Sequence, residues 1–283
     1  MINKLNLDLM KKLENFYTNF NNLKSSFTLS NMENLSTSVN KIVPYIETIY
    51  KLNENSNKLL GEQILKELKT IKSKMIVLSM LQKSNLYLDS NFSEYYFIRK
   101  SSEALIKYEK YLNLETRYFV NNYNINFLSE NIKKSYSNLI ISNKEISKKI
   151  CFSLLKTIKK IQNLINFVEI DYLESLFSMI ENIRTLIAYL NLLENLNNDI
   201  KTNELIDTII SLEFKYESLL KELMVIKSIN LVFYKEKDST IEFLENNIIK
   251  QFKKNKKNIL SEIKYLIEIE KTLYLYLEKT KNK

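Results

Sequence analysis

Cys151 is the one thiol in this chain, and Lys148 and Lys149 stand just before it, separated by Ile150. Neighbouring cations lower a thiol's pKa and produce a reactive thiolate. Ile150, Leu154, Leu155 and Ile158 place the same residue at the edge of an apolar stripe, where a buried, inert thiol is expected instead. Two carboxylate pairs share helical spacing, Glu213 with Glu217 and Asp171 with Glu174. Such pairs, brought together from two helices, are what a hard cation requires. The plainer expectation is a capping box at Asp171/Glu174 and a solvated face at Glu213/Glu217, so no metal site is assigned.

Lysine carries the strongest pattern. Residues 130–160 hold eight Lys and two Glu, a balance of +6. Residues 169–222 hold four basic and eleven acidic residues, a balance of −7, and residues 250–283 return to +6 with ten Lys and four Glu. The candidate anion- or partner-binding residues are therefore Lys133, Lys134, Lys148, Lys149, Lys156, Lys159 and Lys160 in the first basic segment. Lys250, Lys253, Lys254, Lys256 and Lys257 form the candidates in the second. On one surface they would track a phosphate backbone, with Tyr265, Tyr274 and Tyr276 as stacking platforms. The same faces could meet an anionic membrane. Alternatively the acidic middle packs between the basic segments and neutralises them. Lys in place of Arg weakens the nucleic-acid reading, because Arg supplies the bidentate contacts.

The absences exclude more than the presences assign. With no His there is no Ser-His-Asp or Cys-His arrangement and no Glu-x-x-His di-iron pattern. One Cys excludes thiolate zinc sites, and one Gly excludes the P-loop and the dinucleotide fingerprint. No Asp-rich pair of metal-binding clusters of the prenyl-transfer kind is present. The expectation is a protein that is not an enzyme and takes no cofactor or small-molecule substrate.

The elements that must position these residues are helices. Gly61 and Pro44 are the only residues of their types, and turns and sheet corners depend on both. Lys outnumbers Arg 39 to 3 and Asn occurs 36 times, a bias that an AT-rich genome would impose by itself. The net charge of +9 is a physical property whatever its origin and favours acidic partners.

Apolar residues at Ile241, Leu244, Ile248, Phe252, Ile259, Ile263, Leu266, Leu273 and Leu277 keep one helical stripe from 239 to 279. Leu205, Ile209, Leu212, Leu219, Leu223 and Ile226 do the same before a break at Glu236-Lys237-Asp238. This predicts a coiled-coil-like C-terminal hairpin with arms of about 45 Å each. Asn255 and Lys256 interrupt the second stripe, as a solvated tip or protruding segment would.

Earlier in the chain, helices are predicted over about 5–23, 45–88, 92–119, 127–141, 145–165 and 174–190. Ser25 to Ser38 reads as a connection, with Ser30 and Glu33 able to cap a short helix inside it, and Pro44 reads as a restart. Asn53 to Asn57 is a weak point, and Asp89-Ser90-Asn91 a turn. Capping pairs Ser142/Glu145 and Ser239/Glu242 mark helix starts.

The fold class is all-α: an elongated, mostly antiparallel bundle of six to eight long amphipathic helices. Residues 1–200 form a helical bundle, and 201–283 form the hairpin packed on it. No stretch reaches transmembrane length and no signal-peptide core opens the chain, so a soluble, cytoplasmic protein is expected. The function these features fit is a non-enzymatic scaffold or interaction subunit whose helices pack on a protein partner. Nucleic-acid binding through the Lys-rich faces, or binding to an anionic membrane surface, is the alternative.

Overall fold

The computed structural model describes residues 2–52, 58–91, 95–136, 143–165, 173–196, 203–232, 239–260 and 264–281. These residues form ten helices: α1 (Ile2–Ser25), α2 (Leu29–Leu52), α3 (Lys58–Asn91), α4 (Tyr95–Asn122), α5 (Ile125–Tyr136), α6 (Asn143–Ile165), α7 (Leu173–Leu196), α8 (Asn203–Val232), α9 (Ser239–Leu260) and α10 (Lys264–Lys281). No strand occurs among the described residues.

Leu9, Leu13, Phe16, Phe20 and Leu23 of α1 recur at alternating steps of four and three, and all are fully buried. Met32, Leu35, Val39, Ile42 and Ile46 of α2 repeat the same spacing with the same result. Each such side chain contributes about 2 kcal/mol when removed from water, so the two stripes define the α1–α2 seam. Phe20 continues the seam into Tyr123, centroids 5.7 Å apart, at the turn between α4 and α5.

Ten helices stand where six to eight were expected, and two differences account for much of this. Ser25 to Ser38 is not a connection, because α2 begins at Leu29 and only 26–28 link it to α1. Polar composition suggested a loop, but Met32 and Leu35 bury against the core and hold the segment helical. Its cap is Thr28, whose Oγ1 accepts the Asn31 N–H at 3.3 Å, two residues earlier than the expected Ser30. Asn31 Nδ2 then donates to the Ser26 carbonyl at 2.7 Å, closing the corner. Pro44 is likewise no restart but lies inside α2. It forfeits one helical hydrogen bond at a cost of about 3 kcal/mol, which the burial of Val43, Tyr45 and Ile46 beside it offsets.

The second difference lies in the C-terminal arm, described as α9 and α10 with 261–263 outside the described residues. α9 packs on α8, whereas α10 packs chiefly on α6. The expected turn at Asp89 to Asn91 is helical, since α3 runs through Asn91. Asn121 to Asn124 does end α4, and the Asn124 Oδ1 caps α5 by accepting the Phe127 N–H at 3.1 Å. Ser239 opens α9 with Glu242 in its first turn, as expected. Asn53 to Asn57, Glu236 to Asp238, Ser142 and Asp171 lie outside the described residues.

α3 and α8 each pack on several other helices and on one another. In α8 every residue from Glu222 to Ile226 is buried, so this stretch is enclosed on all sides. Buried residues from all ten helices join one apolar cluster.

Candidate functional site

The basic residues singled out in the sequence fall on three helices. Lys133 and Lys134 are exposed at the end of α5. On α6, Lys156, Lys159 and Lys160 are exposed, while Lys148 and Lys149 are half-buried. On α9, Lys250, Lys253, Lys254 and Lys257 are exposed and Lys256 is half-buried. α6 packs chiefly on α7, α7 on α8, and α8 on α9, so the two acid-rich helices lie along the contact path between the basic ones. Lys156 and Lys160 line a cleft together with Lys66, Lys69 and Lys72 of α3, three lysines that stand in no dense basic run.

The largest run of exposed apolar side chains follows α4. Tyr118 is 74% exposed, Tyr111 66%, Leu114 64% and Ile106 49%, all within about 140° of the helix circumference at 100° per residue. The opposite side of α4 buries Leu105, Thr116 and Val120 against α3, α8 and α1. The helix is therefore anchored on one face and bare on the other. A shallow groove of about 330 Å³ runs along the bare side between Ile106, Leu114 and Arg117. Lys110 lines it and Lys107 lies near it on the same helix, both exposed and in no ion pair among the described residues, whereas Glu115 is taken up by Lys74 at 2.6 Å. Phe152, Phe214 and Phe243 sit singly on their helices, and the exposed Tyr265, Ile267, Tyr274 and Leu275 of α10 are spread around that helix rather than gathered on one face.

No known family, curated protein or solved structure matches this chain. Its functional reading rests on geometry alone.

The Glu213/Glu217 pair requires correction. It is not a solvated face, because Glu217 is 6% exposed and both carboxylates are held by Arg184 of α7. The Arg184 Nε donates to Glu213 at 2.5 Å, and a terminal guanidinium nitrogen bonds Glu217. Lys83 of α3 adds a contact to Glu217 at 3.4 Å and reaches Glu33 of α2 at 2.5 Å. The network joins four helices, and its cations occupy the place a metal would need. Among the described residues no group of three or more potential ligands assembles elsewhere. The sequence could not show this, since Arg184 lies about thirty positions from its partners.

Cys151 is fully buried, and burial pushes its thiol up to about 12, away from reactivity. Asn255 marks no solvated tip. Its Nδ2 donates to the buried Glu222 Oε1 at 2.7 Å, so the interrupted stripe is a polar contact inside the α8–α9 interface.

Tyrosine supplies interhelical donors that the sequence analysis missed. The hydroxyls of Tyr45, Tyr189 and Tyr123 donate to Asp8, Glu47 and Glu67 respectively. Burial, followed by the adjacent carboxylate, holds all three phenols above their ordinary pKa. Tyr265 and Tyr274, the expected stacking platforms, are 38% and 45% exposed on α10. Among the described residues no helix is long and apolar enough to cross a membrane.

Proposed function

We propose that this protein is a non-enzymatic scaffold or interaction subunit that presents α4 to a helix of another protein. The observation carrying this reading is the exposed stripe Ile106, Tyr111, Leu114 and Tyr118 on a helix whose opposite face is anchored in the core. An amphipathic partner helix reads such a stripe through anchors at steps of three and four. Tyr is a favoured contact residue because it offers large area with little rotamer entropy to lose. Lys107 and Lys110 along the rim call for acidic side chains flanking the partner's apolar face. α8 and α9 would complete the frame as an antiparallel, coiled-coil-like hairpin within an elongated bundle.

The test is the size and composition of native complexes containing this chain, compared with an Ile106→Glu/Leu114→Glu variant. Both positions face outward, so the variant should fold with unchanged helicity. It should lose its partner while a charge pair placed at Lys11 and Lys271 does not. Complexes indifferent to the α4 substitutions would overturn the reading.

A second reading rests on α9, where Lys250, Lys253, Lys254 and Lys257 are exposed and make no ion pair among the described residues. This arrangement suits a phosphate backbone. It requires salt-sensitive retention on RNA that disappears when these four residues become Glu.

A further inference from the structure

Between α2, α3, α6 and α7 the bundle leaves a cleft of about 830 Å³. Its walls are helix faces: Ser153, Lys156, Thr157 and Lys160 on α6, and Ser178, Glu181, Asn182 and Thr185 on α7. Short hydroxyl side chains stand where Leu or Ile would close a bundle, so the helices meet without filling the space between them. Thr157 donates to the Ser153 carbonyl at 2.8 Å, Thr185 to Glu181 at 2.8 Å and Thr70 to Lys66 at 2.9 Å. These hydroxyls thus donate within their own helices and keep lone pairs for a further donor.

The charges lining the cleft do not balance. Lys66, Lys69, Lys72, Lys156 and Lys160 face Glu47, Glu62 and Glu181, an excess of two positive charges. Glu47 is already engaged by the Tyr189 hydroxyl and by Lys69 at 3.3 Å. Lys72 is the most enclosed of the five, with its side chain 8% exposed, and among the described residues it pairs with Glu181 alone, at 3.6 Å. Burial lowers its pKa, and Glu181 offsets this only in part while Arg184 works against it. Lys66, Lys156 and Lys160 make no ion pair among the described residues. The volume is that of a small-molecule site rather than a packing defect.

We propose that this cleft binds a small molecule carrying two or more phosphate groups, held by Lys72 within the cleft and by Lys66, Lys156 and Lys160 around it. Four of the five lysines, Lys66, Lys72, Lys156 and Lys160, are not taken up by Glu47 and can supply two cations to each of two phosphates, and the seclusion of Lys72 favours a compact ligand over an extended strand or a flat lipid surface. The ligand would tie α3 to α6 and α7 without any chemistry being done on it.

The test is calorimetric titration of the full chain with inorganic tripolyphosphate at fixed ionic strength, with sulfate as the comparison anion. One saturable site is expected, and sulfate should bind far more weakly. Each lost charged contact should weaken binding by about tenfold or more in Lys156→Gln/Lys160→Gln and in Lys72→Met. The Lys11→Gln/Lys271→Gln variant removes the same charge from exposed positions elsewhere and should stay within about twofold of the parent. If Lys72→Met fails to fold, the exposed α6 pair carries the test alone. Equal losses in the α6 and control variants, equal affinity for sulfate, or binding only to phosphatidylserine vesicles or to long RNA would each overturn the proposal.

Discussion

Glu217 and Glu222 lie five residues apart on α8, both buried, and the protein treats them in opposite ways. Glu217 faces α7 and α3, where Arg184 and Lys83 supply two cations. Glu222 faces α9, where Asn255 donates one hydrogen bond and the second carboxylate oxygen has no partner. Burial therefore pushes the Glu222 carboxyl up to about 7, with the Asn255 and Gln251 amides only partly opposing it. The fold meets one buried carboxylate with cations and the other with amides, and burial raises the pKa of the second. The α7–α8 contact is locked by charge, and the α8–α9 contact is sensitive to pH.

Four substitutions break or sharpen this contrast, from the largest effect to the smallest. Arg184→Met strips Glu213 and Glu217 of their shared partner and should cost about 3–4 kcal/mol in urea unfolding, because a carboxylate is left enclosed with Lys83 alone. A loss under about 1 kcal/mol would show that the network contributes little.

Glu222→Gln should act in the other direction. The folded carboxyl binds its proton more tightly than the unfolded one, whose pKa is near 4.5. Its stabilising contribution is therefore complete below about pH 4.5 and is lost as pH rises to about 7. The variant should match the parent at pH 4.5 and exceed it by about 2 kcal/mol at pH 8, allowing for solvent screening. Equal stability at both pH values would place a charged, well-paired Glu222 in the interface.

Asn255→Leu removes the 2.7 Å donor to Glu222 and leaves only the Gln251 amide opposing burial, so it should cost about 1 kcal/mol at pH 8, with the carboxyl titrating at still higher pH. That shift can be followed in the carboxyl carbon resonance of Glu222. Lys72→Met should change stability by less than about 1 kcal/mol, since the Glu181 side chain it abandons is 39% exposed and returns to water. A large loss there would make Lys72 a structural lock like Arg184 rather than a group held for a ligand.

How much of this could be read from the sequence depends on the range of the interactions. Leu9, Leu13, Phe16, Phe20 and Leu23 announce a helix because their spacing is local, and Ser239 with Glu242 announces the start of another. The helical segment from Leu29 to Val43 was hidden, since its Ser, Thr and Asn residues favour turns and only the burial of Met32, Leu35 and Val39 overrides them. Pro44 misled for the same reason: its cost is local and its compensation tertiary.

The polar sites were the least legible. Asn255 was visible as a break in a stripe, but Glu222, its cause, sits on another helix. Glu213 and Glu217 looked like a solvated face because nothing near them names Arg184. The cleft escaped altogether, for Lys66, Lys69 and Lys72 lie in no dense basic run and meet Lys156 and Lys160 only through the packing of α3 and α6. On α4, Tyr111, Leu114 and Tyr118 read as ordinary helix residues, and only the packed bundle leaves them outside.

The claim that α4 is a docking face is tested most directly by site-specific photo-crosslinking in the native cell. A photoreactive residue at Leu114 should join covalently to a single protein, and the same residue at Tyr118 should capture that same protein. Placed at Glu130, on the exposed side of α5, it should not. No adduct at Leu114, or the same adducts at all three positions, would contradict the account.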